Sequence, residues 1–184
     1  MTATERRFDL AVVGAGIVGL ATALAGARRG LRTVVVDRDP RASGASVRNF
    51  GMTLGVRDTR KIDALYNLTG ADVREQARFE DAIGIFPEFI DGYGILILPT
   101  TGRYWHVPYR ALVPRGVAQL LVAGRCIGGD HISHASARNM MCCAVSGQGA
   151  GTAAAVSLQR NEGFEHLDVR AVQKELARQG ARFQ

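Results

Sequence analysis

Three glycines and one acid carry the clearest chemistry in this sequence. Gly14, Ala15, Gly16, Ile17, Val18 and Gly19 spell the spacing G-x-G-x-x-G, and Asp37 follows about 18 residues after the last glycine. Gly14 suits a tight turn, Gly16 lets backbone approach a pyrophosphate, and Gly19 lets a helix pack closely on a sheet. A helix opening at this point presents unpaired N–H groups and a partial positive charge to phosphates. A carboxylate at the Asp37 offset bonds ribose hydroxyls. It also disfavours a 2′-phosphate, although the adjacent Arg38 keeps that ligand open. The bland alternative is a structural strand-to-helix turn with Asp37 ending a strand.

The elements that must position this turn are legible around it. Residues 8–13 form a short apolar, β-branched run, the pattern of a parallel strand buried on both faces. Residues 17–29 are small and apolar and predict a helix stopped by Gly30; residues 32–37 (RTVVVD) predict a second strand. Strand, helix and strand at this spacing make a right-handed β-α-β unit. The composition then turns to Pro, Ser, Gly, Arg and Asn over residues 38–51, a functional loop or a helix start against a ligand.

Periodicity is weaker in the middle. Residues 71–79 predict a short helix capped by Thr69, and residues 94–98 and 104–107 predict antiparallel strands around a turn at residues 100–102. Residues 119–123 (QLLVA) predict a buried strand running into Gly124 and a polar loop through Ser136. A long small-residue helix over residues 137–158 follows, suited to close packing against other backbone. Asp168 caps an amphipathic helix over residues 169–179, with Gly180 as its stop. The expected fold class is α/β: a Rossmann-like dinucleotide domain with a mostly parallel sheet and a small antiparallel β insertion.

Bulk properties narrow the partners. The 184 residues, 47% of them hydrophobic, suffice for one sizeable core and not for two full-size domains. The formal charge of +6 comes mainly from arginine, which suits bidentate contact with phosphate. No basic cluster is interleaved with aromatics, so a dianionic cofactor explains the charge better than nucleic acid does. Cys126, Cys142 and Cys143 give an odd count without CxxC spacing, against a disulfide framework or a four-ligand zinc site, and fit reduced cytoplasmic thiols. No secretory or membrane-spanning run is expected.

Residues 8–52, FDLAVVGAGIVGLATALAGARRGLRTVVVDRDPRASGASVRNFGM, resemble the N-terminus of the D-amino-acid-oxidase-like FAD-dependent oxidoreductases. That resemblance implies FAD rather than NAD. It implies that Ser43, Gly44, Ala45, Ser46 and Arg48 carry the chain past the pyrophosphate, with residues 49–52, Asn49 first, near the isoalloxazine. ARFEDAIGIFPEFIDGYG (residues 77–94) and the stretch from GRYWHVPYR to GTAAA (residues 102–155) are similar to the C-terminal end of another FAD-dependent oxidoreductase family. By that likeness residues 120–123 form a strand beside the first strand, Gly124 and Arg125 pass the ribityl and pyrophosphate region, and the long helix aims its N-terminus at the flavin pyrimidine.

The resemblance implies one FAD-binding domain over residues 1–184, with a β-α-β unit (1–53), a residual middle segment (54–115) and a flavin-contacting end (116–184). Members usually carry a substrate domain between the two ends. The expectation is therefore a shortened or recombined flavoprotein scaffold, with a small-molecule electron donor if it turns over, and with apolar surface that favours a homo-oligomer. The rivals are a cofactor module without dedicated catalysis and a nicotinamide dehydrogenase.

Flavin does its own redox chemistry, so few catalytic side chains are needed. His131 and His134 precede the long helix, where each can donate to the flavin, assist proton transfer, or satisfy nearby backbone. Arg125 and Arg138 flank expected anion positions, with surface ion pairs the alternative. Tyr104, Trp105, His106, Tyr109 and Arg110 either cover the ring system or build core. Cys142 and Cys143 read as small packing residues.

Overall fold

The computed structural model describes residues 7–38, 40, 61–92 and 94–183. Its contacts fall into two compact units, Met1–Arg57 and Asp58–Gln184, each taken by itself below.

In the first unit, β1 (Leu10–Val13), α1 (Ile17–Arg28) and β2 (Thr33–Val36) follow one another. The strands pair in parallel from Leu10 opposite Thr33 to Val13 opposite Val36. Gly30, at φ +78°, adopts the left-handed conformation that ends α1, and its N–H donates to the Ala27 carbonyl. The Asp9 carboxylate meets the Arg32 guanidinium at 2.8 Å and so ties the starts of the two strands. Burial on both faces is not what the strands show: Val13 is 87% exposed and Val36 53% exposed. Among the described residues this sheet is two strands wide, and α1 is the one element of the unit packed on it.

The second unit contains α2 (Gly70–Arg74), β3 (Ala82–Pro87), β4 (Ile90–Gly92), β5 (Ile95–Ile97) and β6 (Tyr104–Pro108). After these come α3 (His131–Ala137), α4 (Met140–Arg160) and α5 (Val169–Arg178). Thr69 starts α2 with a capping box, its hydroxyl accepting the Asp72 N–H while the Asp72 carboxylate accepts the Thr69 N–H. The turn at residues 100–102 exists, closed by Arg103 N–H donating to the Thr100 carbonyl, but β5 and β6 do not pair across it. β6 pairs antiparallel with β3, and β5 with β4. The apolar run AIGIFP gives β6 a longer ladder than β5 can offer, and strand partners are chosen by such non-local matches. Among the described residues one ladder is parallel and two are antiparallel, so the chain is mixed α/β and the predominance of parallel pairing is not observed.

Residues 119–123 form no strand. Gln119 sits in the left-handed region at φ +56°, which breaks the extended run, and Leu120 is 43% exposed. Residues 131–136 are not loop but most of α3, and the expected long helix begins only at Met140. Asn139, extended at ψ 143°, separates the two helices.

The core gathers Trp105, Tyr109, Leu112, Ile83, Val172 and Leu176, all at most 2% exposed. The cluster of Trp105 and Tyr109 is therefore core, and Arg110 lies outside it, paired with Asp81 at 2.9 Å. Glu88 is buried between the Arg74 and Arg103 guanidinia. α5 buries Val172 and Leu176, is capped by Asp168 and stops at Gly180 (φ +85°). No described helix is long and apolar enough to cross a membrane.

Small residues on α4 do allow close packing. A Cβ on Gly149 would sit 2.4 Å from Ile83 Cδ1 and 2.9 Å from Ile83 Cβ, whereas one on Gly147 meets nothing within 4 Å. Gly149→Ala is therefore expected to destabilise the protein by about 1–3 kcal/mol through overpacking. Gly147→Ala stabilises it by up to about 1 kcal/mol through the lower backbone entropy of the unfolded chain. Urea unfolding midpoints moving in opposite directions check this.

Candidate dinucleotide site

The glycine turn is built as its spacing requires. Gly14 leaves β1 at φ +104°, a conformation costly for any side chain, and its N–H donates to the Val36 carbonyl at 2.7 Å. Gly16 is the N-cap of α1, with extended backbone and no side-chain cap, and no acid stands in the first turn of the helix. The N–H groups of Ile17, Val18 and Gly19 thus begin a helix whose first-turn donors lack intrahelical acceptors. At Gly19 a Cβ would lie 1.9 Å from the Gly14 carbonyl oxygen, so α1 can approach the turn this closely only with glycine there.

Asp37 follows directly on β2, whose last residue pairs with Val13 at the entrance to the turn. Its carboxylate accepts the Ala15 N–H at 2.5 Å. Glycine turn and acid are thereby brought together. Arg38 is exposed immediately after it, and Val18 is 77% exposed on the first turn of α1. Ser43, Gly44, Ala45, Ser46, Arg48 and Asn49 lie outside the described residues.

In the second unit, Gly124 and Arg125 form a 3₁₀ turn with Cys126. The Gly124 N–H donates to Ser146 Oγ at 2.9 Å, and Ser146, fully buried on α4, donates in turn to the Cys143 carbonyl. The His134 ring is buried and its Nε2 meets the Arg125 carbonyl at 3.1 Å, so this nitrogen carries the proton and satisfies backbone. Gly124, Arg125 and His134 are thus assembled. His131 is exposed at the first residue of α3, and Arg138 at the far end of that helix donates to the Asp91 carbonyl at 2.6 Å. Burial pushes the Cys142 thiol far up and raises Cys143 as well, the latter opposed by the Arg125 charge, as fits packing residues rather than reactive thiols.

Sequence reasoning missed the group that organises this region. Asp130 caps α3: its carboxylate accepts the Ser133 N–H at 2.8 Å and, from another segment, the Gly70 N–H at 2.8 Å. Lys61 donates to the neighbouring Gly129 carbonyl, and Ser133 Oγ donates to the Leu68 carbonyl at 2.9 Å. The acid immediately before the helix was the available signal. α4, by contrast, starts without a side-chain cap, because the Asn139 amide donates back to the Ala135 and Ser136 carbonyls, and no acid stands in its first turn.

A parallel β-α-β unit with a glycine turn, an uncapped helix start and an acid on the turn defines a dinucleotide-binding protein. The model of the FAD dependent oxidoreductase family matches residues 40–176, most of the chain. This chain belongs to that family, and its cofactor is FAD. A second model, the NAD(P)-binding Rossmann-like domain, matches residues 12–56 and includes the glycine turn. The chain is 38% identical over 73 residues to a 3-oxosteroid 1-dehydrogenase of Mycobacterium tuberculosis, covering 34% of this chain and 13% of that one. It is 42% identical over 48 residues to a 3-oxosteroid 1-dehydrogenase of Mycolicibacterium smegmatis, covering 26% and 8%. The chain thus spans a small fraction of the curated relatives it matches. No solved structure matches it.

Partial burial raises the Asp130 carboxyl, but the amides of Ser133 and Gly70 outweigh it and hold the group below its ordinary 3.8. A carboxyl depressed by folding stabilises above its ordinary value, and that contribution is lost as pH falls through the folded one. Asp130→Ala is expected to cost about 1–2 kcal/mol near neutral pH, from the lost cap and the orphaned Gly70 amide. Denaturant titrations at several pH values should show this cost shrinking as pH falls below about 4.

Proposed function

We propose that this chain is the cofactor-binding part of an FAD-dependent oxidoreductase, with the adenosine diphosphate half of FAD held by residues 14–19 and Asp37. The observation that carries the reading is the Gly14–Gly19 approach: a left-handed Gly14 whose carbonyl leaves no space for a Cβ on Gly19, opening an uncapped helix. Pyrophosphate oxygens accept the N–H groups of the first turn of α1, and the helix dipole favours their charge. A carboxylate offers about four lone-pair sites. Asp37 can therefore keep the Ala15 amide while accepting from the ribose hydroxyls, so the acid positions the turn before the ligand arrives. Arg38 follows at the rim of this half-site.

Within the second unit the uncapped N-terminus of α4 is the best candidate for the flavin pyrimidine. An uncapped, acid-free helix start stabilises added negative charge by up to about 2 kcal/mol when partly buried, which favours the reduced cofactor. His134, held by the Arg125 carbonyl, positions the segment of Gly124 and Arg125 rather than donating to the ring. FAD, once bound, supplies acceptance of a hydride from a small organic donor. A rival reading is a cofactor module without dedicated turnover. Reduction assays with amines, hydroxy acids and steroids separate the two.

A ligand bound only by the folded state raises the melting temperature. Saturating FAD is expected to raise the Tm of the wild-type protein and to leave Gly16→Val and Asp37→Ala nearly unmoved. An unchanged wild-type Tm contradicts the reading.

A further inference from the structure

A groove of about 500 Å³ runs within the second unit between α5 and the start of β3, and it serves none of the roles above. One wall is a single face of α5, where Arg170, Gln173, Lys174 and Ala177 fall at helical spacings of three and four. Phe79 and Phe183 add apolar lining. The walls are fixed. Gln173 Nε2 donates to the Glu80 and Ala82 carbonyls at 2.8 and 2.9 Å, which pins α5 to β3. Phe79 stacks edge-on against Tyr66 with ring centroids 5.1 Å apart, and its N–H donates to His106 Nδ1 at 3.1 Å.

Charge distinguishes this groove. On the same helix Arg178 pairs with Glu175 at 2.7 Å, and elsewhere in the unit Arg74, Arg103, Arg110 and Arg160 each meet an acid. Arg170 and Lys174 enter no ion pair among the described residues, and they stand one turn apart at the groove's edge. Burial, with the Arg78 charge acting in the same direction, pushes His106 below its ordinary value, and among the lining residues Arg170 and Lys174 on α5 are the cations.

We propose that this groove is a binding site for a small aromatic carboxylate, its ring against the Phe79 and Phe183 lining and its carboxylate on Arg170 and Lys174. A guanidinium and an ammonium one turn apart fit the two oxygens of one carboxylate, and the aromatic walls exclude water from the ring. A purely apolar ligand would leave the cation pair unused, and a purely ionic one would leave the aromatic walls unused. The site lies wholly among residues 79–183 and is independent of the flavin half-sites.

The test uses naphthoate as the probe, titrated into the whole protein with and without saturating FAD and followed by calorimetry and amide NMR shifts. The expected result is one naphthoate per chain, shifts centred on Gln173, Ala177 and Phe183, and binding at least about tenfold weaker for the neutral isostere naphthamide. The R170E/K174E double variant, altered only at exposed positions, should lose naphthoate binding by a similar factor and keep the Tm rise given by FAD. Equal affinity for naphthoate and naphthamide overturns the proposal. So do shifts centred elsewhere, or displacement of naphthoate by FAD.

Discussion

A single hydrogen bond organises the first unit: the Asp37 carboxylate accepting the Ala15 N–H at 2.5 Å. It joins the end of one parallel strand to the turn that leaves the other, and it works only because that turn is made of glycines. Gly14 must be left-handed for the chain to reverse there, and Gly19 must lack a Cβ for α1 to start against the Gly14 carbonyl. The acid, the turn and the helix start therefore constrain one another. A pre-formed turn of this kind loses little freedom when it takes up a ligand.

The second unit rests on two acids used as knots, Asp130 at the surface and Glu88 in the interior. Asp130 holds the Gly70 and Ser133 amides, so one carboxylate fixes the starts of both α2 and α3. Glu88 lies between two arginines, and removing one partner of such a buried pair leaves a charge uncompensated. Around these knots the packing is close: Gly149 and Gly84 bring α4 against β3, where a side chain at either position would collide with Ile83 or Val145. Charge left over from these pairings is confined to a few exposed places, and the Arg170 and Lys174 edge of α5 is one of them.

What was legible in the sequence follows how local its causes are. The β-α-β unit was read to within a few residues because a glycine stop, β-branched runs and the G-x-G-x-x-G spacing all act over short distances. The caps Thr69 and Asp168 and the stop at Gly180 were local as well. The strands at residues 94–98 and 104–107 were found, but not their partners, because pairing depends on β3 and β4, which the local pattern did not announce. Residues 119–123 failed because a left-handed Gln119 breaks a run that looks like a strand by composition. The break between α3 and α4 at Arg138 and Asn139 was hidden among small residues that suit a helix throughout. At the site, the turn and Asp37 were legible, whereas the His134 contact to the Arg125 carbonyl and the Ser146 contact to Gly124 needed tertiary structure.

On the proposed reading the glycine turn and Asp37 recognise the adenosine diphosphate half of the cofactor. Competition by ADP and by riboflavin against bound FAD tests it most directly. ADP is expected to displace FAD, and riboflavin, lacking both phosphates and adenosine, to compete far more weakly. Displacement by riboflavin with no effect of ADP would contradict it.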